Sequence, residues 1–160
     1  MIREMTKSDW QRVSEIYLQG IENGIATFET ELPSYEKFDI GHTKECRYVY
    51  IKDGQIAGYT VFSPVNSRYA YRGVVELSIY VGNEFKGIGI GQSLMENAIM
   101  MAEKHGFWTI YSSAFSCNTA SVNLHKKCGF RVIGYREKIA KDKFGNWQDT
   151  TIFEYRNAIE

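Results

Sequence analysis

A strand-like run ending in Ile79-Tyr80-Val81 is followed by Lys86-Gly87-Ile88-Gly89-Ile90-Gly91, and helical apolar periodicity resumes at Leu94. No other stretch constrains the fold as much. Three alternate glycines between a strand and a helix leave a row of backbone N–H groups that no Cβ shields. They stand at the positive end of the helix, where unpaired amides favour a phosphate or pyrophosphate. Lys86 adds a cation at the rim. A P-loop would need Gly-Lys-Ser/Thr, but Gly91 is followed by Gln92-Ser93. A dinucleotide fingerprint fails as well, because Gln92 stands where its third glycine belongs. The plain alternative is a turn without a ligand; the strand–loop–helix setting favours an anion without naming it.

The rest of the chain limits how such an anion is held. Lys+Arg and Asp+Glu both total 19, so the formal charge is zero and nothing favours nucleic acid or an anionic membrane surface. A polyanionic ligand must be met locally, by amides and a few cations. The 160 residues, 44% hydrophobic, suit one domain covering residues 1–160 with a sizeable core. The N-terminus lacks a signal-like apolar stretch and no run is long enough to span a bilayer. Cys46, Cys117 and Cys128 are an odd number without CxxC spacing, which implies free thiols in a reducing cytoplasm. His42, His105 and His125 show no zinc-ligand spacing, so no metal is expected.

Periodicity and punctuation predict the element order β-α-α-β-β-β-α-β-α-β-β. A short strand at residues 2–4 precedes a helix capped by Thr6 with Asp9 three residues on, and Gly20 is expected at its end. Pro33-Ser34 opens a second helix through about residue 44. Strand-like runs on both sides of Asp53-Gly54 predict a hairpin. Strands are expected at 74–81, 109–115, 131–140 and 149–156, with helices from Leu94 to near Gly106 and over 119–128. The mixture of hairpins and crossovers predicts one α/β (α+β) layer fold.

Two segments together carry a family resemblance. Lys86-x-x-Gly89-x-Gly91 resembles the Gln/Arg-x-x-Gly-x-Gly/Ala pyrophosphate loop of the GNAT superfamily of N-acetyltransferases, with Lys in the first position. Asn118-x-x-Ser121, continuing through Leu124-His125 to Gly129-Phe130, looks like the superfamily's Asn-x-x-Ala/Ser-x-x-x-Tyr-x-x-x-Gly-Phe segment, with His125 in the tyrosine's place. Within the superfamily the chain is similar to the phosphinothricin/methionine-sulfone acetyltransferase branch. The residues that carry this are Thr27-Phe28-Glu29-Thr30-Glu31, Tyr71-Arg72-Gly73-Val74-Val75-Glu76, Leu124-His125 and Gly145-Asn146-Trp147-Gln148-Asp149.

The resemblance implies a GNAT fold, a mixed twisted sheet of about seven strands flanked by helices. It implies acetyl-CoA as donor, a small amine or amino-acid acceptor, and a cytoplasmic homodimer. Acetyl transfer needs a base for the amine and a donor for the developing oxyanion. Glu76 matches the family's general base. A carboxylate in an apolar strand is costly unless wet, paired or at a site; the plain alternative is a Glu on the solvent side of the sheet. His125 stands in for the usual tyrosine acid, or is a core-edge histidine satisfying a carbonyl. The resemblance assigns the cofactor to Lys86, Gly87, Ile88, Gly89, Ile90, Gly91 and Gln92, and to Ile79, Tyr80 and Val81 through their backbone. Asn118 and Ser121 join that set, or merely cap their helix. Arg68 and Arg72 are expected at the acceptor's acidic group, with Phe28 and Tyr71 as walls. Trp147 and Asp149 shape the last hairpin or a pocket edge. The rival readings are a protein Nα- or lysine-acetyltransferase and a non-catalytic acyl-CoA-binding module.

Overall fold

The computed structural model describes residues 1–158. Its strands are β1 (Ile2–Glu4), β2 (Tyr48–Lys52), β3 (Gln55–Pro64), β4 (Val74–Val81), β5 (Thr109–Phe115), β6 (Arg131–Lys141) and β7 (Trp147–Arg156). Its helices are α1 (Trp10–Asn23), α2 (Tyr35–Gly41), α3 (Ile90–Lys104) and α4 (Thr119–Lys127). The strands form one seven-stranded sheet in the order β1-β2-β3-β4-β5-β7-β6. Among the described residues only β4 and β5 run parallel, and the element order is the one expected from sequence.

Local chemistry sets most boundaries. The Asp9 carboxylate accepts the Thr6 N–H at 2.8 Å and both arms of the Arg3 guanidinium at 2.8 and 2.9 Å, which starts α1 after a 3-10 turn. α1 does not stop at Gly20. It continues to Asn23 and closes on Gly24, whose φ of 75° is the left-handed cap that glycine accepts. Gly20 has another use: it is buried, and a Cβ there would lie 2.8 Å from the Tyr80 ring. Ser34 caps α2 by accepting the Lys37 N–H, but this helix ends at Gly41, short of residue 44. Positive φ at both Asp53 (51°) and Gly54 (77°) makes the β2–β3 turn the type I′ that suits a two-residue hairpin. β6 and β7 run closer to their shared turn than sequence indicated, and Asp142 organises it by accepting the Phe144 and Asn146 N–H groups at 2.9 and 3.0 Å.

Each face of the sheet has its own core. Phe62, Val75, Leu77, Met95, Ala98, Ile110, Phe130 and Phe153 pack between the sheet and α3. Val13, Ile16, Phe38, Val49, Tyr59 and Val61 pack under α1 and α2. Alternation along β4 therefore sends Leu77 toward α3 and Tyr80 toward α1.

The Arg3–Asp9 pair holds the Asp9 carboxyl below its ordinary range, first through the guanidinium hydrogen bonds. A depressed carboxylate stabilises the fold above its unfolded pKa and loses that effect as pH falls through the folded value. Asp9→Ala is expected to lower stability by about 1–3 kcal/mol near neutrality, by leaving the Thr6 amide and Arg3 unpaired. Urea unfolding compared at pH 7 and pH 3 reads this; an equal difference at both would contradict it.

Candidate active site

β4 and β5 are registered at only three positions, Val74 with Thr109, Val75 with Ile110 and Glu76 with Tyr111. Beyond Glu76 the parallel strands separate, while β4 stays paired to β3 as far as Val81 and β5 to β7 as far as Phe115. The two strands therefore splay apart next to Ile79-Tyr80-Val81. Their splay leaves one edge of β4 open over Leu77, Ser78, Ile79, Tyr80 and Val81.

A cavity of about 470 Å³ fills this notch and runs to the N-terminus of α3. Because it passes through the sheet, side chains of both parities line it. Glu76, Ser78, Tyr80 and Phe28 stand on the α1 side, and Leu77, Ile79, Ser112 and His125 on the α3–α4 side. Gly20, at the back of α1, keeps the α1 wall thin.

At the far end lies the glycine loop. Gly87 and Gly89 have φ of 79° and 91°, and a Cβ at either would meet nothing within 4 Å, so both open onto free space. Among the described residues the N–H groups of Gly87, Ile88 and Gly89 have no backbone partner. No side chain caps α3, whose N-cap is Gly89 itself. Gly91 serves a different need: a Cβ there would sit 3.3 Å from Leu124 Cδ2, so its absence lets α3 approach α4. Free amides, a helix N-terminus and Lys86 at the wall have the chemistry to hold an anionic group such as a pyrophosphate, and the open edge of β4 suits an extended amide-bearing arm.

The Glu76 carboxylate is half-buried at the last registered position before the strands part, and no described residue gives it a hydrogen bond or ion pair. Burial raises its pKa above the ordinary carboxylate value. Tyr80 is next but one on the same face, packed between Tyr17 and Tyr59 at ring separations of 5.1 and 5.6 Å, and burial raises its phenol well above the ordinary value.

His125 is 2% exposed. Its Nδ1 is 2.7 Å from the Ser121 carbonyl and its Nε2 is 2.7 Å from Ser112 Oγ. The ring lies flat on Phe153 at 4.4 Å, and burial lowers its pKa. Both ring nitrogens are thus occupied within the protein, and the imidazole reaches the cavity's polar chemistry only through Ser112.

Of the expected site residues, the cavity wall brings together Phe28, Glu76, Ile79, Tyr80, Val81, Lys86, Gly87, Gly89, Ile90, Gly91, Asn118, Ser121 and His125. Asn118 also caps α4, accepting the Ser121 N–H at 3.3 Å. Phe28 reaches the wall by packing on Phe115 at 4.4 Å. Ile88, in the loop, and Gln92, in the first turn of α3, do not line the cavity; Ile88 points outward, 57% exposed, and Gln92 donates to Glu96. Arg68, Tyr71 and Arg72 do not line this cavity. A 3-10 turn at Tyr69–Tyr71 sits at the opposite end of β4 from the glycine loop, and Arg72 lies over the Tyr69 and Trp108 rings at 4.1 and 5.2 Å. Trp147 and Asp149 are also outside it. Asp149 bonds the Tyr135 hydroxyl and the Lys138 N–H, which fixes the irregularity in β6, and Trp147 lies under Lys141. Sequence reasoning missed Ser112. A serine at an alternate position between Ile110 and Ala114, on the buried side of its strand, was the available signal.

A strand pair that parts beside a glycine loop and an uncapped helix N-terminus fits an acyl-CoA-dependent transferase. The chain belongs to the acetyltransferase (GNAT) family, whose model matches residues 8–130. It is 30% identical over 160 residues to phosphinothricin N-acetyltransferase of Alcaligenes faecalis, covering 96% of this chain and 80% of that one. It is also 30% identical over 161 residues to an L-methionine sulfoximine/L-methionine sulfone acetyltransferase of Salmonella typhimurium, covering 96% and 92%. Among solved structures, a GNAT phosphinothricin acetyltransferase from Sinorhizobium meliloti in complex with acetyl-CoA superimposes with a TM-score of 0.88 at 28% identity, covering 98% of this chain and 87% of that one. The protein is an N-acetyltransferase that uses acetyl-CoA. Among the described residues no helix is long and apolar enough to cross a membrane.

Proposed function

We propose that the protein acetylates the amino group of a small amino-acid-like acceptor by direct transfer, with Glu76 as the general base. The observation that carries this is the unpartnered Glu76 carboxylate at the point where β4 and β5 separate, in one cavity with the glycine loop. A carboxylate whose pKa is raised is a stronger proton acceptor than an ordinary one. The loop from Lys86 to Gln92 holds the donor's pyrophosphate, the open edge of β4 pairs with its pantetheine arm, and Asn118 and Ser121 contact the same arm. The Ile79 N–H serves the oxyanion. Phe28, Glu76 and Tyr80 form the acceptor end. The relatives named for phosphinothricin and for methionine sulfoximine or sulfone supply the acceptor class.

Thiol release from acetyl-CoA, measured across phosphinothricin, methionine sulfone, methionine sulfoximine, free amino acids, polyamines and short peptides, tests the reading. The expected result is a kcat/KM at least about tenfold higher for one of the amino-acid-like acceptors than for any peptide, a difference of 1.4 kcal/mol in transition-state binding. A peptide or polyamine that outruns them all would overturn it.

A further inference from the structure

We propose that Ser112 and His125 form a proton shuttle that passes one of the acceptor amine's protons to the departing sulfur, an inference that rests on the acetyl-transfer reading above. The polarity of the pair follows from its ends. A carbonyl oxygen only accepts, so His125 Nδ1, 2.7 Å from Ser121 O, carries the ring proton. The neutral ring then has a bare lone pair on Nε2, and the hydroxyl 2.7 Å away, Ser112 Oγ, must donate to it. Donating inward leaves the Ser112 oxygen's lone pairs directed elsewhere, and the residue lines the cavity. Phe153 and Phe130 pack against the imidazole on its stacked and edge-on sides and hold it in this orientation.

The reaction needs such a group in addition to Glu76. An ammonium nitrogen sheds two protons on becoming an amide: one leaves to solvent and one ends on the sulfur. Glu76 lies on the α1 side of the notch. Ser112 is the first β5 residue beyond the last registered pair, and its side chain points to the opposite side. The two groups thus reach the gap from different faces. In the proposed step an N–H bond of the attacking amine breaks as a Ser112 Oγ–H bond forms, and the original hydroxyl proton passes to His125 Nε2. When the carbon–sulfur bond breaks, the imidazolium returns its Nε2 proton to Ser112 Oγ, which gives its own to the thiolate. No oxidant or co-reactant enters, and the dyad ends as it began. Burial of His125 favours the neutral ring, so the imidazolium is short-lived and readily gives up its proton.

Ser112→Ala, with Ser112→Thr as the hydroxyl-retaining variant, provides the test. The expected result is a kcat about 10²-fold lower in the alanine variant, the scale of one acid–base group, with the acetyl-CoA Kd unchanged by calorimetry and much of kcat regained in the threonine variant. A wild-type kcat in Ser112→Ala would overturn the proposal. A second readout needs no variant and no turnover: ¹⁵N NMR of the wild-type histidines is expected to show His125 protonated at Nδ1 and bare at Nε2, with the Nε2 signal moved by added acetyl-CoA. A proton on Nε2 would reverse the dyad and also overturn it. If wild type acetylates no amine at all, the reading of function above fails; turnover that survives loss of the Ser112 hydroxyl defeats the shuttle alone.

Discussion

Glu76→Gln is expected to lower kcat by about 10²–10⁴-fold while the acetyl-CoA Kd stays within a factor of about two. The amide has nearly the same shape as the carboxylate and cannot take a proton, so the difference reads the base and not the pocket. The carboxylate's pKa is raised because burial disfavours its charged form, and no hydrogen bond or cation among the described residues counteracts that. The acidic limb of kcat/KM in the wild type is therefore expected above the ordinary value of about 4.3, and to vanish in the variant. The same residue makes an opposite prediction for stability. A carboxyl whose folded pKa is raised binds protons more tightly when folded, so it destabilises the fold as pH rises through that value. At pH 7 the glutamine variant is thus expected to melt about 1–3 °C higher than wild type, and to lose that advantage near pH 4. An inactive variant that melts lower would mean the activity was lost to damage. Unchanged kcat would remove Glu76 from the chemistry.

The second large effect lies at Gly89. Its φ of 91° is the left-handed region, where a residue with a Cβ costs about 1–2 kcal/mol, and the missing Cβ faces open space at the start of α3. Gly89→Val both strains the loop and blocks the free amides at the start of α3. Losing one charge-assisted amide–phosphate bond of about 1.5–3 kcal/mol weakens acetyl-CoA by roughly 10- to 100-fold. Gly54→Ala is the control. Gly54 has φ of 77° and an equally empty Cβ direction, but it turns a hairpin away from the cavity. It is expected to lose similar stability with the acetyl-CoA Kd unaltered, measured by calorimetry. Equal Kd values for both variants would show that the loop does not hold the donor.

Element order was readable from sequence because each boundary had a local cause: Thr6 with Asp9, Ser34, Asp53-Gly54, and the alternate glycines before α3. The errors were non-local. Gly20 looked like a helix end because glycine usually is one, but here it makes room for Tyr80, which follows it by sixty positions. Among the expected site residues, the loop glycines and Glu76 line the cavity, a placement that the glycine pattern and strand parity make legible. Arg68, Tyr71 and Arg72 are adjacent in sequence to the strand that carries Glu76, but the turn that holds them lies at the end of β4 opposite the glycine loop. Ser112 was missed because its meaning depends on His125, thirteen residues away on another element.

The short registration of β4 and β5 also has a mechanical consequence. Among the described residues, backbone pairing between the β1–β4 and β5–β7–β6 leaves is registered at three residue pairs at one end, and the α3-side core bolts the leaves together on one face. Such a sheet is a pair of boards on a short hinge. A ligand strung along the open edge of β4 would then act as a splint across the gap, so occupancy and rigidity of the two leaves are one quantity.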